Sequence, residues 1–332
     1  MDMNALPIFS KLLELKLVKN KNNILHISTL MFVEKSDPLY KHALFLMHKA
    51  WGTGKTPHVF PGPQPISIER KHMPLLKNND YVVCEKTDGV RHMVLIFTFN
   101  GKKVSLMINR ALEMTEIKLK FPKTSFDGTL LDGELYEDKF MIYDIIVDKG
   151  KHVGHLNFLE RLELMEKVIK STISMKSDAI KLKLKNFHLM QDFEYFMKEY
   201  LPNVEQKVDG LVFTPINEPV RIGTHETLFK WKERDHNTID FFVRYEYNDW
   251  RLHVQEKGKL IFESVLPHEK VPAWMEDSTI VECQYMVDNI PMYWQPIKER
   301  KDKKHPNNRR TFYRTLVNIK EDIKIGEFLS YT

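Results

Sequence analysis

A chain of 332 residues carrying 50 lysines and arginines against 45 aspartates and glutamates has a formal charge of +5; it is long enough for two domains, and its mild basic excess suits a polyanionic partner without requiring one. Its two cysteines, Cys84 and Cys283, exclude a disulfide framework, argue against a cysteine-based zinc site and fit a reducing compartment. No apolar run reaches the length of a membrane helix and the N-terminus lacks the pattern of a secretory signal, so a soluble intracellular protein with no membrane partner is expected.

Apolar stretches from Ile8 to Leu17, Leu25 to Phe32 and His42 to Met47 alternate with lysine-rich turns and read as helix and strand flanking a main domain. Gly54-Lys55-Thr56 copies the end of a phosphate-binding loop, but the first glycine of that motif would fall on Lys49 and no strand precedes it, so the match is set aside. Pro57 and Pro61-Gly62-Pro63-Gln64-Pro65 predict a rigid extended connection leading to Ile66-Ser67-Ile68-Glu69-Arg70. Tyr81-Val82-Val83 reads as a buried strand and His92 to Phe97 as the next, joined as a hairpin by Asp88-Gly89.

Strands are then expected at Val104 to Ile108, Leu131 to Tyr136, Phe140 to Val147, Leu211 to Thr214 and Leu228 to Lys232. Phe158, Leu159, Leu162, Met165, Val168 and Ile169 recur at helical spacing, as do Phe193, Phe196, Met197 and Leu201. After Asp240 come short alternating strands, Phe241 to Tyr245, Arg251 to Val254, Leu260 to Val265 and Thr279 to Tyr285, the pattern of a small barrel. The boundary is expected near Thr238, and Leu316 onward reads as a terminal helix returning to the large domain.

Chemistry enters at Cys84-Glu85-Lys86-Thr87-Asp88-Gly89-Val90-Arg91, where a lysine stands beside a carboxylate, a turn glycine and an arginine just after an apolar strand. Downstream, in order, come Asp132-Gly133-Glu134-Leu135, Phe140-Met141-Ile142-Tyr143-Asp144, Lys207-Val208-Asp209-Gly210, Leu228-Phe229-Lys230-Trp231-Lys232 and Arg300-Lys301-Asp302-Lys303. A lysine attacks phosphorus only as the free amine, so neighbouring cations such as Lys230, Lys232 and Arg91 would favour a nucleophilic Lys86 and meet phosphate charge in the transition state. Lys230 and Lys232 share one strand face with Trp231 opposite, which equally suits a solvated edge; the ordered series favours function. Glu134 and Asp209 are turn residues or a pair that holds ribose hydroxyls and a Mg²⁺ ion. Tyr143 is a core aromatic or a flat partner for a base.

These collinear motifs resemble those of the covalent nucleotidyltransferases, and Lys86-Thr87-Asp88-Gly89 together with Arg300-Lys301-Asp302-Lys303-Lys304-His305-Pro306-Asn307 resembles the mRNA capping guanylyltransferases. Pro61-Gly62-Pro63, Ser67-Ile68-Glu69-Arg70-Lys71 and Ile280-Val281-Glu282-Cys283 look closest to the guanylyltransferases of large DNA viruses such as the chlorella virus enzyme. The similarity covers roughly residues 60 to 325.

The resemblance implies an α+β fold: a nucleotidyltransferase domain of the ATP-grasp-like ligase and capping type, with antiparallel sheets and helices, plus a C-terminal OB-fold barrel. It divides the chain into a flanking segment over residues 1–60, the nucleotidyltransferase domain over 61–238, the barrel over 239–315 and a returning helix over 316–332. It implies that Lys86 forms a phosphoramidate to GMP, that Thr87, Arg91, Arg110 and Glu134 contact the nucleoside, and that Tyr143 lies under guanine. Lys230 and Lys232 would bind the α-phosphate, Asp209 would lie near Mg²⁺ or Mn²⁺, and Arg300, Asp302 and Lys303 would orient pyrophosphate. Many relatives carry glutamate where Val208 stands. Lys185, in the segment with Lys181 and Lys183, is the expected donor to guanine O6.

GTP and the 5′-diphosphate end of RNA would be the substrates, with RNA triphosphatase and cap methyltransferase domains or subunits as partners. The location would be the host cytoplasm or virion for a cytoplasmic large DNA virus, and otherwise the nucleus. The alternatives are an ATP-dependent DNA or RNA ligase with a lysyl-AMP intermediate, and a catalytically silent RNA-binding subunit.

Overall fold

A computed structural model describes residues 31–301 and 303–332. The expected segments at 8–17 and 25–30, and Asp302, lie outside the described residues. The architecture is α+β, built on three sheets.

The first sheet has eight strands. Seven run in the spatial order Met31–Val33, Met114–Glu116, Lys102–Asn109, Val90–Phe99, Thr129–Tyr136, Lys139–Asp148 and Lys181–Leu184, and Lys151–His152 pairs with Lys139–Asp148. All pairs are antiparallel except that of Lys181–Leu184, which runs parallel to its neighbour. The unbroken apolar run in Val90–Phe99 has a simple cause: both faces are covered. Val94 and Ile96 pack under the helix Phe158–Ser171, while Met93, Leu95 and Phe97 face the helix Pro38–Trp51. A strand buried on both sides loses its polar alternation. Asn157 caps the helix Phe158–Ser171 by accepting from Glu160 N, and the Glu160 side chain returns the bond; this capping box fixes where that helix begins.

The second sheet orders His188–Leu189, Tyr81–Thr87, Val208–Pro215, Gly223–Trp231 and Pro63–Ser67. The proline-rich stretch is therefore partly a strand rather than a free connection. It lies at the sheet edge, parallel to Gly223–Trp231, where prolines that lack an N–H are tolerated. The expected hairpin is also corrected. Tyr81–Thr87 pairs with His188–Leu189 and Val208–Pro215, whereas Val90–Phe99 belongs to the first sheet. Asp88-Gly89 is a crossing between two sheets. The segment 193–201 is only briefly α-helical, over Phe193–Tyr195, and widens into a π-helix over Phe196–Tyr200.

The third sheet is antiparallel, in the order Lys259–Leu266, Asp249–Glu256, Thr238–Glu246, Ile280–Met286 and Tyr293–Glu299. The sequence reading missed the last strand. The two outer strands come into contact, closing the sheet into an OB-type barrel. The helix Arg309–Glu321 sends Phe312 and Ile319 into the barrel core and also meets the large domain, where Asn318 Nδ2 donates to Ile68 O at 2.6 Å and Arg70 N donates to Glu321 at 2.7 Å; residue 316 falls inside it. The tail beyond the helix docks there as well: Ile323 and Phe328 enter the second-sheet core, Trp231 Nε1 donates to Ile323 O at 2.8 Å, and Arg70 pairs with Glu327 at 2.5 Å.

Candidate active site

The two sheets of the large domain meet at Gly89. A Cβ there would lie 2.6 Å from Leu135 O and 2.8 Å from Glu134 Cγ, so only glycine lets the chain cross against the strand carrying Glu134. This puts Lys86 opposite that strand. Asp209 arrives from the other side by a different device. The pairing of Tyr81–Thr87 with Val208–Pro215 shifts between Val208 and Leu211, and the bulge re-aims the Asp209 side chain. Gly210 has φ +154°, and a Cβ on it would collide with Trp231 O at 1.9 Å.

The result is a compact cation cluster around one carboxylate. Lys86 Nζ donates to Asp209 Oδ1 at 2.8 Å and Lys232 Nζ lies 2.6 Å from Oδ2. Burial would push the Asp209 carboxyl up, but the Lys86 and Lys232 ammoniums hold it below the usual range. Lys230 has no such partner among the described residues: burial first, then the charges of Lys232, Lys86 and Arg110, lower it to about 8. Trp231 faces the opposite way, into the second-sheet core, as the alternation of the segment requires.

Beside the cluster opens a cavity of about 440 Å³, lined by Lys86, Thr87, Arg91, Arg110, Glu134, Tyr143, Lys185 and Arg300 among others. Asp209, Lys230 and Lys232 flank it rather than forming its wall, and join it through Lys86. Burial drives Glu134 up to about 7 despite Lys86, Lys185 and Arg110. Cys84 also lines the cavity; burial pushes its thiol up to about 12, which makes it an inert wall.

Several side chains are already engaged. Arg91 is buried, with Nε and Nη2 on Asp132 at 3.0 and 2.6 Å and Nη1 on Pro63 O at 2.7 Å. Tyr143 Oη donates to the same carboxylate at 2.9 Å. Asp132 thus orients both the arginine and the ring. Lys185 commits all three donors, to Glu85 O at 2.7 Å, Glu85 Oε1 at 2.9 Å and Thr87 Oγ1 at 2.5 Å. Glu85 is backed in turn by Gln206 Nε2 at 2.8 Å and Tyr200 Oη at 3.2 Å, which the π-helix brings within reach.

On the barrel side, Arg300 Nη1 reaches Asp240 at 3.0 Å and Glu282 at 3.4 Å while lining the cavity, and Lys303 also pairs with Asp240. The cavity wall also holds a pair that sequence reasoning missed: Arg161 grips Asp144 through Nε at 2.7 Å and Nη2 at 3.1 Å. The available signal was an arginine on the apolar stripe of Phe158–Ser171. Among the described residues no group of three histidine, cysteine or carboxylate side chains is placed to hold a metal ion, and no helix is long and apolar enough to cross a membrane.

Comparison with known proteins gives a consistent picture. Residues 15–234 match the family model of the mRNA capping enzyme catalytic domain, and residues 236–329 that of the mRNA capping enzyme C-terminal domain. The mRNA-capping enzyme of Danio rerio is 32% identical over 278 residues, covering 75% of this chain and 45% of that protein. The mRNA-capping enzyme subunit alpha of Neurospora crassa is 29% identical, covering 58% and 56%. That of Schizosaccharomyces pombe is 25% identical, covering 83% and 80%. The chain therefore spans about half the length of the first two relatives.

Proposed function

Because the chain belongs to the mRNA capping enzyme family, we propose that it is a GTP:RNA guanylyltransferase working through a lysyl-N-GMP intermediate on Lys86. The observation that carries this reading is the meeting of Lys86 and Lys232 on Asp209, with Lys230 and Arg110 close enough to perturb one another. Four cations around one paired carboxylate and one carboxyl raised to about 7 form a site short of negative charge. A triphosphate supplies it.

In the first step Lys86 gives up a proton, its amine forms a bond to the α-phosphorus of GTP, and the bond from that phosphorus to the β-phosphate oxygen breaks to release pyrophosphate. In the second step a terminal oxygen of diphosphate-ended RNA attacks the same phosphorus, and the nitrogen–phosphorus bond breaks as Lys86 regains a proton, giving GpppRNA. Lys230 and Lys232 act as fixed positive charge for the reacting phosphate. Arg300 and Lys303 approach from the barrel to hold the leaving pyrophosphate in line, the task the family resemblance also gives Asp302.

Tyr143 offers its ring to the base and Glu134 is set for the ribose. Since Lys185 spends its donors on Glu85 and Thr87, the Thr87 oxygen is an acceptor toward Lys185, and its own proton is free to point at a base oxygen. A keto group at that edge, as in guanine, accepts it; the amino group of adenine does not. Arg91 acts at one remove, bracing the ring through Asp132. Asp209 is the carboxylate that would hold a divalent ion, Mg²⁺ or Mn²⁺, and the ion would neutralise phosphate charge there. The fungal relatives are named as alpha subunits, which supports a capping assembly in which triphosphatase or methyltransferase activity resides on other domains or chains.

Incubation with radiolabelled GTP or ATP, followed by intact-mass measurement, tests this reading. One GMP added per chain on Lys86 is expected. Equal labelling by ATP favours the ligase alternative, and no label the silent subunit.

A further inference from the structure

The outer face of the barrel carries a feature the reaction does not use. Along Thr238–Glu246, Ile239, Phe241 and Val243 fill the barrel core, so Asp240, Phe242 and Arg244 stand on the other face. Arg251 on the next strand is the direct cross-strand partner of Arg244. The Arg251 guanidinium lies 4.1 Å from the centroid of the Phe262 ring and 5.3 Å from that of Tyr247; the Arg244 guanidinium lies 5.5 Å from that of Phe242. Phe262 is 42% exposed and Tyr247 85%.

The cation–π contacts stabilise the folded face modestly, but the pairing of the charges works against it. Like charges directly opposite across two strands oppose pairing, and exposed rings add nothing to the core. Glu246 meets Arg244 at 3.2 Å. Arg251 has no ion pair among the described residues, and its buried Nε has no hydrogen-bond partner. The row begins at Asp240, which holds Arg300 at the cavity wall, and two alternations along the strand carry it about 13 Å outward to Arg244.

We propose that this face is a stacking platform for the single-stranded RNA that follows the 5′-diphosphate end, with bases on Phe262 and Tyr247 and phosphates on Arg251 and Arg244. The proposal rests on RNA being the acceptor. Flat exposed rings interleaved with guanidinium groups suit bases and phosphates together, and the second and third strands of an OB-type barrel are where such chains bind. An acidic peptide would use the arginines and leave the rings idle.

The test is fluorescence anisotropy of a short diphosphate-ended single-stranded RNA labelled at its 3′ end, titrated with the whole protein across a salt series. Phe262→Ala is expected to weaken binding about 5-fold or more with an unchanged salt slope, since it removes stacking. Arg251→Gln is expected to weaken binding and flatten the slope of log affinity against log salt by about 0.7, the signature of one lost phosphate contact to a single strand. Enzyme-GMP formation, which involves no RNA, confirms that each variant is folded; Arg251→Lys, which keeps charge and loses the planar stack, covers the case of a misfolded Arg251→Gln. Unchanged RNA affinity in these variants overturns the proposal, as does loss of polyglutamate binding with RNA binding intact, which would assign the face to an acidic protein. A parent that binds RNA through this face but forms no enzyme-GMP would refute the catalytic reading and leave this one standing.

Discussion

Lys86 and Asp209, separated by 123 positions, meet at 2.8 Å because one strand pairing and one bulge bring them together at the crossing of two sheets. The pair is an ammonium and a carboxylate, which is a resting arrangement: the ammonium cannot attack. Arrival of phosphate oxygens gives Lys232 and Lys86 new partners and leaves Asp209 next to a lysine that must lose a proton. Lys86→Ala should abolish the GMP adduct, and so should Lys86→Arg, since a guanidinium stays protonated. Asp209→Asn should slow adduct formation on the order of 100-fold, read by the rate of mass gain after mixing with GTP. An adduct surviving in Lys86→Ala would end the assignment.

Glu134 links the site to stability. Its carboxyl is raised from 4.5 to about 7 by burial, against the pull of Lys86, Lys185 and Arg110. A raised folded value means that its stabilising contribution is complete below about pH 4.5 and is lost as the pH climbs through about 7, because the folded protein then holds a buried carboxylate that the unfolded chain leaves in water. Glu134→Gln should therefore be more stable than the parent near pH 8, by up to about 3 kcal/mol, with the gain vanishing near pH 4.5, while GTP use falls. Denaturant midpoints at the two pH values check this. An equal gain at both would place its cause elsewhere than in the titration.

The order of strands along the chain was legible wherever an apolar run declared itself, and the barrel strands were visible because apolar and polar residues alternate along them with turns between. Local pattern failed at Asp88-Gly89, where two apolar runs separated by a turn-forming pair have the form of a hairpin. The partner of Tyr81–Thr87 is Val208–Pro215, more than a hundred residues later, and no local signal carries that pairing. The same distance effect governs the site. Lys86, Tyr143 and Lys232 could be picked out by residue type and order, but that Arg91 would be taken up by Asp132 and Lys185 by Glu85 and Thr87 depends on contacts between strands. Arg161 was masked by the apolar periodicity of its own helix, which made a buried ion pair with Asp144 look like packing.

Base choice separates two kinds of contact. An aromatic ring stacks on any base, so if Tyr143 lies under the base as proposed, Tyr143→Ala should weaken GTP use while keeping the preference for GTP over ATP. Tyr143→Phe keeps the ring but removes the hydroxyl bound to Asp132, so it should lower GTP use less than Tyr143→Ala, by the loss of the ring's bracing alone. Thr87→Val removes the one hydroxyl whose proton Lys185 leaves free, and the preference for GTP over ATP should fall by about 10-fold or more, since a site built around a polar partner discriminates through it. Labelling rates with the two nucleotides give both ratios. A Thr87→Val protein with the parental ratio would move base selection to another group.

Arg300 separates the two half-reactions. Its guanidinium is held by Asp240 and Glu282 on the barrel while lining the cavity that Lys86 faces, so it meets the nucleotide only when the barrel sits down on the large domain. Pyrophosphate leaves in the first step alone. Arg300→Ala should therefore suppress formation of enzyme-GMP on the order of 100-fold, the cost of removing one preorganised charge contact. Asp240→Asn, which removes the charge of one of the groups holding that guanidinium, should follow it in direction. Preformed enzyme-GMP offered diphosphate-ended RNA should lose far less, under about 10-fold, because no pyrophosphate has to be kept in line with the amine. Rapid-quench measurement of each half-reaction on Arg300→Ala decides between the roles: an equal loss in both steps would mean that Arg300 supports the fold or binds RNA, and the pyrophosphate-orienting role would be withdrawn.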